Sequence, residues 1–225
     1  MNVFVGRRVR HYRTVSFDPR RNEVLLIEQQ LLTHQFQIVP TRSFRETARA
    51  LHEMVVRGAG AIGATAAFGF AQGLRAFRGR DLKGFQRHTE RVYRCLKAAR
   101  PTAVDPVNAM DQVRAAMAQG RTVSEQQETA LNAAQQFADE NLAQCEAIGR
   151  HGASLIRDNM RILTHCNAGW LAFVDVGSAT APLQLAPLKV AGTFSRACAT
   201  LATLKVATWR SNIATPPAMW IAFRS

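Results

Sequence analysis

Three short segments of this chain place backbone amides, a guanidinium or a thiol where an anion or a reacting carbon could be held. The first is Arg57-Gly58-Ala59-Gly60-Ala61-Ile62-Gly63, small residues running into a helix start. Unpaired amides of a first helical turn can face a phosphate closely there, and Arg57 adds a cation. Glycine-rich turns without any ligand are also common. The second is Arg100-Pro101-Thr102-Ala103-Val104, an arginine held by a following proline beside a helix start at Asp105. Such an arginine could clamp phosphate bidentately; a solvent-facing helix end reads the same way. The third is the turn after Ile162-Leu163, Thr164-His165-Cys166-Asn167-Ala168-Gly169. A helix dipole at that turn would favour the Cys166 thiolate. A cysteine at a strand end is equally a small buried hydrophobe, and His165 and Asn167 have structural readings as a hydrogen-bonded ring and a turn former.

The elements that must position these groups can be read from period and punctuation. Val9–Val15, Glu23–Ile27 and a segment around Leu31–Val39 read as short strands, with Pro19 and Asn22 marking a turn. From Ser43 the period becomes helical. Ser43 and Glu46 form a capping box, with Phe44, Ala48, Leu51 and Val55 on one face, and the helix is expected to end near Arg57-Gly58. A second helix, Ile62–Leu74, is so rich in Gly and Ala that only close packing against a neighbour or ligand would justify it. Asp81–Ala99 reads as a third helix. Asp105 is expected to cap a fourth, with Pro106 at its first position and Val107, Met110, Val113 and Met117 along one face. Ser124 to about Asn159 reads as a long helix, with Gly149 and Gly152 as its breakable points. Ile162-Leu163 then reads as a strand leading through a tight turn into a helix, the first βα unit of a doubly wound sheet.

Taken together, Met54–Gly69 (MVVRGAGAIGATAAFG), Ala99–Met110 (ARPTAVDPVNAM) and Ile162–Ala172 (ILTHCNAGWLA) resemble the signatures of methylthioribose-1-phosphate isomerases. These belong with the ribose-1,5-bisphosphate isomerases and the regulatory subunits of initiation factor two-B. Leu26–Phe36 also matches, and the resemblance runs from about Arg10 to Pro182. It implies an α/β chain: a small β region (1–40), a helical N-terminal domain (41–158) and the first βα unit of a truncated Rossmann-like parallel domain (159–182). It implies a cofactor-independent aldose–ketose isomerase of methionine salvage, acting on a phosphorylated pentose whose blocked anomeric carbon requires assisted ring opening. Arg57, Gly58 and Ala59 would bind the phosphate, Arg100 would add a second contact, and Cys166 would sit at the reacting carbons. A later aspartate would be its general acid, because one step donates a proton and another accepts it. Gly60 stands where the isomerases usually have proline, which leans toward the ribose-bisphosphate and initiation-factor branches. A sugar-phosphate- or nucleotide-sensing regulatory protein is therefore the alternative reading. Family members pair as homodimers.

Beyond Pro182 the pattern is lost: the aspartate segment is absent, and 183–225 is expected to be a poorly ordered, aggregation-prone tail that leaves the chain without isomerase activity. Ala199–Thr208 can be written in GC-rich codons that, read two bases along, approach the missing loop; resequencing the gene tests a frameshift. The formal net charge of +13 suggests nucleic acid. However, the basicity is nearly all scattered arginine without interleaved aromatic residues, and part of the excess comes from the lack of any Asp or Glu after Asp175. No nucleic-acid partner is expected. The longest uncharged run, Gly58–Leu74, is too weakly apolar to span a bilayer. Four cysteines without close pairing and no apolar leader suit the cytoplasm and argue against a metal cluster.

Overall fold

In the computed structural model, residues 2–5, 8–32, 34–157, 160, 162–164, 167–186, 206–208 and 219–221 are described. The chain opens with an antiparallel pair, β1 (Asn2–Val5) and β2 (Arg8–His11). A separate three-stranded antiparallel sheet follows: β3 (Val15–Asp18), β4 (Glu23–Ile27) and β5 (Ile38–Thr41), with β4 central. The β3–β4 turn forms because the Asp18 carboxylate accepts from the Arg20 and Arg21 amides, while Asn22 takes a left-handed conformation (φ 56°). Pro40, which has no amide to donate, is tolerated because β5 is an edge strand.

Five helices complete the body: α1 (Phe44–His52), α2 (Ala59–Arg75), α3 (Leu82–Ala99), α4 (Asp105–Met117) and α5 (Val123–Ala153). Their starts are chemically marked. Ser43 Oγ accepts from the Glu46 amide, and Glu46 reaches back to the Arg42 amide. Asp81 accepts from the Lys83 and Gly84 amides. Thr122 accepts from Glu125, whose carboxylate returns to the Arg121 amide.

Helix α2 is the axle of the body: every residue from Gly60 to Leu74 is buried. Its small residues are what permit this. A Cβ on Gly69 would stand 2.7 Å from Thr47 of α1, and one on Gly73 would stand 2.5 Å from Val92 of α3. The sheet closes the remaining side, with Phe17 stacked on Phe68 at 5.7 Å. Gln72, almost fully buried, fastens sheet to helix. Its amide donates to the Thr41 and Asn22 carbonyls (2.7 and 2.9 Å) and accepts from the Thr47 hydroxyl (2.8 Å). For a buried amide so fully partnered, the hydrogen bonds offset the cost of desolvation.

After α5 come a 3-10 turn (Trp170–Ala172) and a short helix, α6 (Ala181–Leu185). Farther on, β6 (Val206–Thr208) and β7 (Met219–Ile221) pair antiparallel within the segment expected to lack order. The mixed α/β class stands, but the parallel sheet expected after α5 is not formed among the described residues. Residues 162–164 are not a strand, and Leu163 is 93% exposed. A strand exists only through a neighbour that takes up its amides and carbonyls, and no described segment pairs with this one. The helix expected after Gly169 is likewise replaced by the 3-10 turn.

Boundary differences have local causes. Helix α2 starts at Ala59 rather than Ile62, because Gly58 (φ 103°) makes the entry turn that no L-residue with a Cβ would favour. Asp105 is the first residue of α4, not its cap, and Val104 takes the capping place without a side-chain bond. Helix α5 runs unbroken through Gly149 and Gly152, which are the seat of α6. A Cβ on Gly149 would lie 2.6 Å from Leu185, and one on Gly152 would lie 2.5 Å from Pro182.

Candidate functional site

The Arg57-Gly58-Ala59 turn and the segment following Cys166 meet face to face. A Cβ on Gly58 would fall 2.3 Å from Ala172 Cα and 2.7 Å from its carbonyl oxygen. Only glycine lets the two backbones approach so closely. Arg57 and Ala59 are exposed at this junction, and the Gly58 carbonyl accepts from the Ile62 amide at 2.9 Å. The amides of Ala59, Gly60 and Ala61 belong to the first turn of α2, where no side chain caps them because the capping residue is glycine.

The junction is braced from three sides. From the N-terminal sheet, Thr14 donates its amide to Val174 (2.9 Å), and the Gln29 side chain donates to Leu171 (2.7 Å). Gln29 also gives its backbone amide to Val55, at the foot of the Arg57 turn. From α5, Asn141 Oδ1 accepts from the Val174 amide at 3.1 Å, and its Nδ2 lies where a Cβ on Gly60 would stand 2.6 Å away. Third, the buried Asp175 carboxylate lies 2.6 Å from His11 Nε2 and accepts from the Val176 amide at 2.8 Å. Val176 is held with φ 65°, a strained setting for a β-branched residue, and its carbonyl accepts from Gln184 of α6. Apolar side chains close the outside: Trp170 packs with Ile27 and Leu32, flanked by Tyr12 and Phe36.

Arg100 lies at the other end of the same loop system. Its Nη1 donates to the Leu51 carbonyl at 3.5 Å, at the C-terminal end of α1, where a cation complements the helix dipole. The loop it begins returns to α2, where Asp105 Cβ would be 3.5 Å from a Cβ on Gly63. Arg57 and Gly58 lead into the start of α2, whose first residue is Ala59, while Arg100 stands against the end of α1. Cys166 and His165 lie outside the described residues. The described thiol nearest this region, Cys145 on α5, is pushed up to about 11 by burial, with a backbone hydrogen bond from Gly177 offsetting only part of the rise and the Asp175 and Glu146 charges adding to it. A thiol so protonated is inert as a nucleophile.

Among the described residues no group of three or more His, Cys, Asp or Glu could hold a metal ion, and no helix is long and apolar enough to cross a membrane. Gln29, Asn141 and Phe173 escaped sequence reasoning. Their parts in the junction come from contacts across more than thirty residues, which carry no local signature.

A small β region, an axle helix entered through Arg-Gly-Ala and a later segment, Trp170–Val174, packed against that entry are the marks of one class. Residues 55–206 match the model of the Initiation factor 2 subunit family, and the chain belongs to that family. The match extends past Pro182, where the motif resemblance ended. Methylthioribose-1-phosphate isomerase 1 of Pseudothermotoga lettingae is 36% identical over 176 residues, covering 78% of this chain and 51% of that protein. The methylthioribose-1-phosphate isomerase of Paramagnetospirillum magneticum is 40% identical over 182 residues, covering 78% and 48%. Two crystal structures, each 32% identical, superpose well: 5-methylthioribose 1-phosphate isomerase from Pyrococcus horikoshii OT3 (TM-score 0.72, 77% of this chain and 49% of that one) and translation initiation factor eIF-2B, subunit delta, from A. fulgidus (0.71, 78% and 51%). The chain spans about half the length of the relatives it matches.

Proposed function

We propose that this chain carries the phosphate-binding half of an aldose–ketose isomerase site for a 1-phosphorylated pentose, with 5-methylthioribose 1-phosphate as the leading substrate. Arg57, the first-turn amides at Gly58 and Ala59, and Arg100 would hold the phosphate. Cys166 would stand at C1 and C2 as base or transition-state stabiliser. The ring opens, one hydrogen moves from C2 to C1, and the aldose becomes the ketose without net oxidation. The observation that carries this reading is the Gly58–Ala172 contact, which sets the Arg57 turn beside the chain that leaves the THCNAG motif. The names of the relatives support the substrate class.

No Asp or Glu follows Asp175 in these residues to serve as the partner acid, so on their own they would bind substrate and turn it over poorly. In this reading 1–40, 41–158, 159–182 and 183–225 keep separate roles: brace, cradle, thiol turn and tail. Calorimetry with methylthioribose 1-phosphate, alongside a coupled isomerase assay, tests the proposal. Binding that is lost in Arg57→Ala, with turnover far below that of a full-length relative, is expected. Turnover within a few fold of the relative would refute the loss of activity, and absence of binding would refute the cradle. The regulatory reading, favoured by Gly60, predicts binding of sugar phosphates or nucleotides that survives Cys166→Ser without any turnover.

A further inference from the structure

Helices α3 and α4 both pack on α2 but diverge from each other, leaving a groove of about 850 Å³. Arg87, Arg91 and Arg94 rise along one face of α3, and Arg114 faces them from α4. A single carboxylate lines the groove with them, Glu90. It is shared: Arg94 Nε lies at 2.8 Å and Arg114 Nη1 at 3.6 Å, so one acid braces two arginines and neutralises only one. Arg91 is set by His88 Nδ1 at 2.8 Å, and Arg114 lies over the Tyr93 ring at 5.4 Å. The guanidinium groups are thus positioned rather than dispersed.

The floor adds an independent observation. Thr89 lines the groove, and its hydroxyl is one of two buried side-chain polar atoms without a hydrogen-bond partner among the described residues. Threonine has two accessible rotamers in a helix, so a ligand oxygen could draw that hydroxyl upward and supply the missing bond. Four guanidiniums against one carboxylate suit a compact ligand with several negative charges. Arginine's planar fork matches phosphate oxygens bidentately. A nucleic acid would want stacking rings along the groove, whereas Tyr93 is already covered by Arg114 and Lys97.

We infer that the α3–α4 groove binds a small polyphosphate anion, independently of the Gly58 junction. The test is calorimetric titration of the full chain with inorganic tripolyphosphate at two salt concentrations. In Arg57→Ala, which removes the cradle proposed above, saturable one-site binding is expected to persist, weakened at least about tenfold, or 1.4 kcal/mol, by adding Arg91→Glu or Arg114→Glu. Arg20→Glu, the same change of charge in the β3–β4 turn, should leave affinity within about twofold. Thermal melts of each variant separate lost binding from lost folding, and Arg91→Gln provides a milder second variant. No binding by the wild type, an equal loss in Arg20→Glu, or a single-stranded oligonucleotide binding more tightly than tripolyphosphate would each overturn the assignment.

Discussion

Helix α2 and the chain that follows α5 are both rich in small and apolar residues, yet one is sealed throughout and the other only from about Trp170 onward. Between Gly60 and Leu74 every side chain is buried. Between Leu155 and Leu163 most apolar residues face outward, with Leu155 70%, Met160 50% and Leu163 93% exposed and only Ile156 half-buried. The difference is one of neighbours. Helix α2 satisfies its backbone internally and then meets α1, α3, α4, α5 and the sheet, so burial costs little in hydrogen bonding. A strand cannot do so alone. Apolar character therefore marks a residue as suited to burial, and only topology decides whether burial happens.

The sharpest way to probe that boundary is at Gly58, where the two regions touch. Gly58→Val adds a Cβ at a left-handed position and directly against Ala172. A loss of about 4 kcal/mol in chemical denaturation is expected if body and trailing segment unfold as one unit. A loss under about 1 kcal/mol, with faster hydrogen exchange confined to 167–180, would show them to be uncoupled.

Gln72→Leu probes the sealed side alone. Removing the amide takes a donor from the Thr41 and Asn22 carbonyls and leaves the Thr47 hydroxyl only its bond to Thr41 Oγ1, with an expected loss of about 3 kcal/mol in the same measurement. Should the variant melt like the wild type, sheet and axle would be held by apolar contact only. Gly149→Leu should displace α6 and cost about 1–2 kcal/mol, read most clearly as faster exchange or proteolysis at 181–186. Leu163→Glu is the smallest case. It should change stability by less than about 0.5 kcal/mol while improving solubility, and a loss above 1 kcal/mol would mean that Leu163 is packed after all.

What could be read from the chain follows the same division. The helices were legible because their signals are local: Ser43 with Glu46, Asp81 ahead of α3, Met110, Val113 and Met117 on one buried face of α4. Strand β4 was read to the residue. The stretch Leu31–Val39 was misread because Leu32 and Phe36 alternate like a strand, yet both turn toward Trp170 and only Ile38 onward pairs with β4. Glycines at 149 and 152 look like breaks but are landing places, a distinction that exists only once α6 is in view. Of the site, the Arg57 turn and the Arg100 loop were legible as motifs. The approach of the Arg57 turn to Ala172, and the brace from Gln29 and Asn141, depended on distant contacts.

Those distances bear on how the molecule assembles. Thr14 and Trp170, whose hydroxyl and carbonyl meet, are 156 residues apart in the chain, and Gln29 and Leu171 are 142 apart. Closing spans of that size spends loop entropy before any contact repays it, whereas the helical body is organised by much nearer neighbours. The body should therefore condense first and the Gly58 junction last. During synthesis, the Gly58 junction would be completed only after the residues around 170 have emerged from the ribosome.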